Sequence, residues 1–96
     1  MKVVFHKKFQ RFVRRIKDKV LLEKIAFEID LIIKKPKSGK LLDHPFRKYM
    51  IYSVNFVYKK NSYRIAYTKS YESDKLLFLL IDSRENFYEK LLRIAK

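Results

Sequence analysis

Residues 49–68, YMIYSVNFVYKKNSYRIAYT, decide the fold of this chain. Two alternating segments, residues 49–58 and 63–68, flank the sequence Lys59-Lys60-Asn61-Ser62, which predicts a β-hairpin with a four-residue turn. Because successive side chains of a strand point to opposite faces, Tyr63, Ile65 and Tyr67 are expected in the core. The opposite face is expected to be partly open and to carry Ser53, Asn55 and Arg64.

The segment before the hairpin predicts a strand and two helices. Residues 2–5 form a short β-branched and aromatic run, and the apolar residues that follow recur at helical spacing. Asp18 is a suitable N-cap for the second helix, which Pro36 and Gly39 end. Its predicted buried stripe consists of Leu22, Ile25, Ala26, Ile29, Ile32 and Ile33.

After the hairpin, residues 75–81 form an almost wholly apolar strand, and Ser83 is a suitable N-cap for a last helix. The predicted fold is therefore α+β, in a single domain covering residues 1–96. A short N-terminal strand leads into a two-helix hairpin, which packs on an antiparallel sheet of about four strands, and a short C-terminal helix follows.

The charge of the chain indicates the sign of its partner. Lys and Arg number 24 against 10 Asp and Glu, a formal net charge of +14, so nucleic acid is the expected partner. The absence of cysteine excludes disulfides, thiolate metal sites and a cysteine nucleophile. With two distant histidines and one glycine, neither a metal site nor a phosphate-binding loop is expected, and we predict no cofactor. The apolar runs are too short to cross a membrane, and a secretory signal is not expected. Together with the absence of cysteine, this favours a cytoplasmic protein.

Arg64, Arg84 and Tyr88 are the first candidates for a functional site. Arginine on a strand, facing a second arginine and a phenol near a strand end, is suited to a phosphate because the guanidinium can grip it in two places. His44, in the loop before the hairpin, is a candidate for proton transfer. Structural alternatives remain for each: Arg64 as a solvated cross-strand partner, Arg84 paired with Glu85 or Asp82, and Tyr88 in the core.

Further basic and polar residues are candidates for RNA binding. Arg47 and Lys48 lie close to His44 in sequence, and Ser53 and Asn55 share the predicted open face with Arg64. Lys7, Lys8 and Arg11 belong to the basic side of the first helix. That side either makes the protein soluble or binds ribosomal RNA or an acidic partner segment.

The chain resembles the RelE/ParE superfamily of toxin-antitoxin systems. The resemblance is carried by Gly39-Lys40-Leu41-Leu42, Ile51-Tyr52-Ser53-Val54-Asn55-Phe56, Tyr63-Arg64-Ile65-Ala66-Tyr67, and Arg84 with Tyr88. It implies a RelE-like mRNA interferase that cuts messenger RNA in the ribosomal A site by attack of the ribose 2′-hydroxyl. It also implies a cognate antitoxin. By position, Arg64 would brace the scissile phosphate, Arg84 would stabilise the developing charge, and Tyr88 would stack on or orient a base.

Two positions depart from the RelE pattern. RelE itself carries lysines that assist proton transfer where Ser53 and Asn55 stand in this chain, and neither Ser nor Asn is a useful acid or base near neutral pH. The alternative is therefore a non-catalytic protein. It would be either a ParE-like gyrase inhibitor or a degenerate toxin acting as an RNA- or antitoxin-binding module.

Overall fold

A five-stranded mixed sheet with strand order β1-β5-β4-β3-β2 forms the framework of the protein. The computed structural model describes residues 1–83 and 86–95. The strands are β1 (Lys2–Phe5), β2 (Lys40–Leu41), β3 (Ile51–Tyr58), β4 (Asn61–Ser70) and β5 (Lys75–Asp82). The helices are α1 (Lys7–Arg15), α2 (Lys19–Lys34) and α3 (Phe87–Ala95), with a short 3₁₀ helix at Arg47–Tyr49. The predicted α+β architecture is confirmed.

The central hairpin follows the predicted alternation, but its turn is tighter. β3 and β4 pair antiparallel with Asn55 opposite Arg64, and only Lys59 and Lys60 separate the two strands. Both turn residues have positive φ, 48° and 67°, as a two-residue hairpin turn that matches the strand twist requires. The predicted four-residue turn was wrong, because Asn61 and Ser62 continue the β4 ladder.

Two strand pairings extend the predicted sheet. β1 runs parallel to β5, with Val4 opposite Leu77, so the sheet is mixed. A parallel pair needs a long crossover connection, and here the two helices and the central strands lie between its members. Lys40 and Leu41, where the sequence predicted no strand, form a two-residue strand that pairs with β3.

The sheet has a core on each face. On the first face α1 and α2 cover the aromatic side of the hairpin, where Phe9, Ile25 and Tyr67 are buried. The second face is covered by α3 and by the segment before β3. This second core consists of Leu42, Phe46, Ile51, Ala66, Leu79, Leu80, Phe87 and Leu91. The second face is therefore less open than the sequence predicted.

The helix boundaries show which local signals were correct. Asp18 caps α2 as predicted, since its Oδ1 accepts hydrogen bonds from the Val20 and Leu21 amides at 3.0 and 3.2 Å. The predicted stripe of α2 is confirmed in part: Ile25 and Ile32 are buried, and Ile29 and Ile33 pack partly buried against the first core. Leu22 is half-buried and Ala26 is exposed, whereas Leu21 and Glu28 are buried without having been predicted. Ser83 does not directly precede α3, which begins at Phe87. No helix in the described ranges has both the length and the apolar character needed to span a membrane.

A β-bulge in β5 changes which face its last residues occupy. Tyr67 lies opposite Phe78, whereas the preceding Ala66 lies opposite Leu80, so Leu79 is an extra residue on β5. Leu79 and Leu80 both enter the second core, and Asp82 lies directly opposite Arg64. The bulge therefore places a carboxylate next to the candidate arginine.

Candidate functional site

Arg64 lies at the centre of a polar site at one end of the second face. Its Nε donates a hydrogen bond to Asn55 Oδ1 at 3.0 Å, and its Nη1 donates to the Tyr88 hydroxyl at 3.0 Å. The guanidinium carbon also lies 5.2 Å from the centroid of the Tyr88 ring, within cation-π distance. Two neutral acceptors thus orient the guanidinium without cancelling its charge. Within residues 1–83 and 86–95, no hydrogen-bond partner is found for Nη2.

A polar row crosses three strands at this end of the sheet. Asn55 on β3, Arg64 on β4 and Asp82 on β5 are direct cross-strand neighbours. The Asp82 carboxylate is occupied elsewhere: Oδ1 accepts the Ser83 amide at 2.7 Å, and Oδ2 accepts Lys90 Nζ from α3 at 2.6 Å. In the described part of the chain, Arg64 forms no ion pair with a carboxylate.

Tyr88 links the second core to the polar row. Its ring centroid lies 5.8 Å from that of Phe46 and 5.5 Å from that of Phe87, an edge-on contact in the second case. The residue is nevertheless 42% exposed. The ring is thus fixed by apolar contacts while the hydroxyl reaches Arg64, an arrangement suited to the amphipathic tyrosine side chain.

His44 and Tyr88 line the same surface depression. Its volume is about 380 Å³, and its other lining residues are Lys40, Leu42, Asp43, Pro45 and Phe46. His44 is exposed and is joined to Pro45 by a cis peptide bond. Of the four residues predicted for catalysis, the fold therefore joins Arg64 to Tyr88 and places His44 in a depression that Tyr88 also lines. The fourth, Arg84, lies outside the described residues.

The predicted RNA-binding residues between β2 and β3, Arg47 and Lys48, contact their neighbours in the chain. Arg47 Nη2 bonds to Asp43 Oδ1 at 2.9 Å and its Nε to the Leu42 carbonyl at 3.4 Å, so its guanidinium braces the loop. Lys48 Nζ lies 5.1 Å from the ring centroid of Tyr49. Both residues are exposed, and they belong to the segment that covers the second face.

Ser53 does not lie on an open face, and this expectation was wrong. It is only 7% exposed, because β2 pairs with β3 and places Lys40 opposite it. Asn55, two residues further on, is exposed and holds Arg64. One of the two polar residues is thus covered, and the other is a positioning group.

The basic residues of α1 form a separate surface. α1 packs on the first face of the sheet through Phe9, whereas Arg64 and Tyr88 belong to the second face. Lys7, Lys8 and Arg11 are exposed on α1 and do not join the Arg64 site. The predicted basic set is therefore divided between two sides of the sheet.

Asp82 and Lys90 were missed as parts of the site. Strand alternation without a bulge would place Asp82 on the same face as Phe78, in the first core. A carboxylate at the end of an apolar strand and a lysine eight residues later were the only signals in the sequence.

Comparisons with known proteins agree with this architecture. A family model described as ParE-like toxin of type II bacterial toxin-antitoxin system matches residues 3–92. A chain of the intact E. coli RelBE toxin-antitoxin complex superposes with a TM-score of 0.68 at 16% identity, over 88% of this chain and 96% of that chain. A free E. coli RelE with two arginines replaced by alanine gives 0.70 at 16% identity, over 96% and 94%. The isolated E. coli RelE toxin gives 0.64 at 17% identity, over 97% of both chains.

At these identities the structural likenesses show a shared fold. A search of curated proteins gave no match by sequence. The family model spans nearly the whole chain, which confirms the resemblance predicted from the hairpin and its arginine. The chain belongs to the ParE-like toxins of type II bacterial toxin-antitoxin systems.

Proposed function

We propose that this toxin is a metal-free endoribonuclease that cuts messenger RNA on the ribosome, with Arg64 bound to the scissile phosphate. The observation that carries the proposal is the orientation of Arg64 by Asn55 and Tyr88, which leaves its charge available. A preorganised cation is what a phosphoryl transition state requires, because negative charge develops on the non-bridging oxygens.

The reaction transfers the phosphoryl group within the RNA strand. The ribose 2′-oxygen attacks phosphorus and forms a new P–O bond, while the bond from phosphorus to the 5′-oxygen breaks. The products are a 2′,3′-cyclic phosphate and a 5′-hydroxyl. One proton leaves the 2′-hydroxyl, and one proton must reach the departing 5′-oxygen. Arg64 stabilises the charge on phosphorus, and Arg84 is proposed to share this role.

Proton transfer is assigned to Tyr88 and His44. The Tyr88 oxygen accepts a hydrogen bond from Arg64, so its own proton can be donated to the leaving 5′-oxygen. His44 lies in the same depression, and histidine is the side chain that most often serves as a base near neutral pH. Asn55 is engaged with Arg64 and Ser53 is buried, so neither is assigned a proton.

The depression between His44 and Tyr88 is proposed to receive a base that flanks the cut. Its volume of about 380 Å³ and its aromatic wall at Phe46 and Tyr88 suit a planar ring. Arg47 and Lys48, on the same side of the sheet, would contact the backbone of the mRNA. Lys7, Lys8 and Arg11, on the other side, would contact ribosomal RNA.

We propose a cognate acidic antitoxin as the protein partner, with both proteins acting in the cytoplasm and neither requiring a membrane. E. coli RelE, which shares this fold, occurs in a complex with its antitoxin. The α1 segment of this chain, KKFQRFVRR, carries five basic residues and no acidic residue. An acidic partner is therefore favoured electrostatically.

The second candidate function is inhibition of DNA gyrase without RNA cleavage. It is favoured by Ser53 and Asn55, which stand where the RelE pattern has lysines, and by the ParE-like description of the family model. Primer extension on mRNA from expressing cells, run beside a gyrase supercoiling assay with purified toxin, distinguishes the two. Ribosome-positioned breaks with unaffected supercoiling support the nuclease. Loss of supercoiling without breaks supports the gyrase inhibitor.

A further inference from the structure

We infer that Lys90 is a positioning residue that keeps Asp82 from neutralising Arg64. The role of Arg64 in phosphate binding comes from the proposed function, on which this inference rests. The contact between Lys90 and Asp82 is a feature of the fold itself: Nζ and Oδ2 lie 2.6 Å apart, with the carboxylate side chain 9% exposed and the lysine side chain 43% exposed.

Asp82 lies next to Arg64 in the sheet. The two residues are a direct cross-strand pair on β5 and β4, and opposed side chains in such pairs have Cβ atoms about 4.5–5.5 Å apart. This pairing exists only because Leu79 is an extra residue in β5. The bulge therefore creates a competitor for the arginine at the site where phosphate is proposed to bind.

The Asp82 carboxylate is almost buried and is stabilised by two partners. A carboxylate that is almost buried requires cationic or hydrogen-bonding partners, since an unpaired buried charge is strongly destabilising. Lys90 and the Ser83 amide supply these partners at 2.6 and 2.7 Å. Without Lys90, the basic side chain placed directly across the strand pair is Arg64. A bidentate pair between them would occupy the guanidinium fork.

Helix α3 contacts both Arg64 and Asp82. Phe87 and Leu91 bury one side of this helix in the second core. Tyr88 and Lys90 then project from opposite flanks of that buried side, given the 100° rotation per residue of a helix. One flank reaches Arg64 through the Tyr88 hydroxyl, and the other reaches Asp82. A single helix thus orients the arginine and sequesters its competitor.

The test uses the full-length protein with four variants: Lys90→Met, Asp82→Asn, the double variant, and Lys34→Met as the control lysine at the end of α2. The first readout is the Arg64 Nε–H resonance in NMR spectra of the free protein. The second is the affinity for a deoxy dinucleotide, which carries one phosphate and cannot be cleaved, followed through the same resonance. Dispersion of the amide spectrum checks that each variant is folded.

We expect Lys90→Met to move the Arg64 resonance toward that of a carboxylate-bound guanidinium and to weaken dinucleotide binding about tenfold or more, the usual scale for a charged hydrogen bond. The double variant should restore both readouts, because Asn cannot neutralise arginine. Lys34→Met should bind as well as the unchanged protein, and Asp82→Asn alone should bind the dinucleotide more tightly, because a negative charge beside Arg64 is removed.

A purely structural role for Lys90 as an anchor of α3 gives a different pattern. In that case the double variant, which also lacks the contact between Lys90 and Asp82, would still bind the dinucleotide weakly. Weak binding by the double variant would overturn the inference. An Arg64 resonance unmoved by Lys90→Met would overturn it as well. Failure of the dinucleotide to shift Arg64 in the unchanged protein would count against the proposed phosphate site instead. The resonance of the free protein still decides whether Asp82 is sequestered.

Discussion

Arg64 and Tyr88 are 24 residues apart in sequence, yet the arginine Nη1 lies 3.0 Å from the tyrosine hydroxyl. The contact joins the central strand β4 to the first turn of α3. Because Phe46 and Phe87 fix the Tyr88 ring, the position of the hydroxyl is set by the second core. The phenol can therefore orient the guanidinium and still offer its own proton to a ligand.

Tyr88→Phe separates the two roles of this residue. The ring contacts with Arg64 and Phe46 remain, and only the hydroxyl is lost. We expect the cleavage rate on programmed ribosomes to fall about a hundredfold, a typical loss for a general acid, with unfolding free energy changed by less than about 1 kcal/mol. Tyr71→Phe, at an exposed tyrosine in the β4–β5 turn, is the matched control. Equal effects of the two substitutions would argue against the assignment of Tyr88.

His44→Ala tests the proposed base. We expect kcat for RNA cleavage to fall about a hundredfold with KM changed little, since His44 is exposed and its side chain makes no hydrogen bond to residues 1–83 or 86–95. The depression of about 380 Å³ can admit free imidazole, so added imidazole should restore part of the rate. Arg64→Ala should not respond to imidazole. A loss of rate in His44→Ala that imidazole leaves untouched would contradict a proton-transfer role.

The Asp18 carboxylate is expected to stabilise the folded protein in a pH-dependent way. A hydrogen bond from Tyr58, then the Leu21 amide and the nearby Lys59, hold the pKa of the Asp18 carboxyl below its ordinary value of 3.8. Because the pKa of Asp18 is lower in the folded state than in the unfolded state, the ionised carboxylate stabilises the fold at pH values above the ordinary pKa of 3.8. This stabilisation is lost as the pH falls through the folded-state value.

Asp18→Asn provides the measurement, because asparagine caps a helix about as well as aspartate. The thermal midpoint of the variant should lie below that of the unchanged protein near neutral pH, and the two should converge in strong acid. A difference that stays constant down to about pH 2 would rule out this source of stability.

Gly39→Ala tests the close packing between the segment before β2 and the sheet. Tyr67 donates its hydroxyl proton to the Pro36 carbonyl at 2.7 Å and accepts the Gly39 amide at 3.0 Å. A Cβ at residue 39 would lie 2.6 Å from the Tyr67 hydroxyl and 2.8 Å from the Ser53 carbonyl oxygen. We expect a loss of about 1–3 kcal/mol in unfolding free energy, measured with denaturant. Lys37→Ala, two residues earlier, should change it by less than about 0.5 kcal/mol; equal losses would remove the steric explanation.

The hairpin could be predicted because every second side chain of each strand faces the core, so its residue types alternate along the sequence. Tyr63, Ile65 and Tyr67 face α1 and α2, and Asn55 faces Arg64, as strand parity requires. Asp18 could also be identified, since an N-cap is a local hydrogen-bonding requirement. The proximity of Arg64 and Tyr88 could be predicted as well, because parity places Arg64 on the second face and Tyr88 follows closely after the last strand.

The remaining features depend on contacts that no local pattern encodes. β2 contains two residues, and its place beside β3 follows a turn held by the Tyr67 hydroxyl, 28 positions away from Gly39. The bulge at Leu79 lies inside a uniformly apolar strand, where alternation carries no information. The position of Asp82 depends on that bulge, so its pairing with Lys90 could not be deduced. The covering of Ser53 was missed for the same reason as β2.

The most direct measurement of the central claim is primer extension on mRNA from cells expressing the unchanged toxin, Arg64→Ala, or the control Lys34→Ala at matched protein levels. Arg64 is the residue that the proposed mechanism places on the scissile phosphate. We predict ribosome-positioned breaks with the unchanged toxin and with Lys34→Ala, and a loss of at least about a hundredfold with Arg64→Ala. Breaks that persist undiminished in Arg64→Ala, or are absent with the unchanged toxin, would contradict the proposed nuclease site.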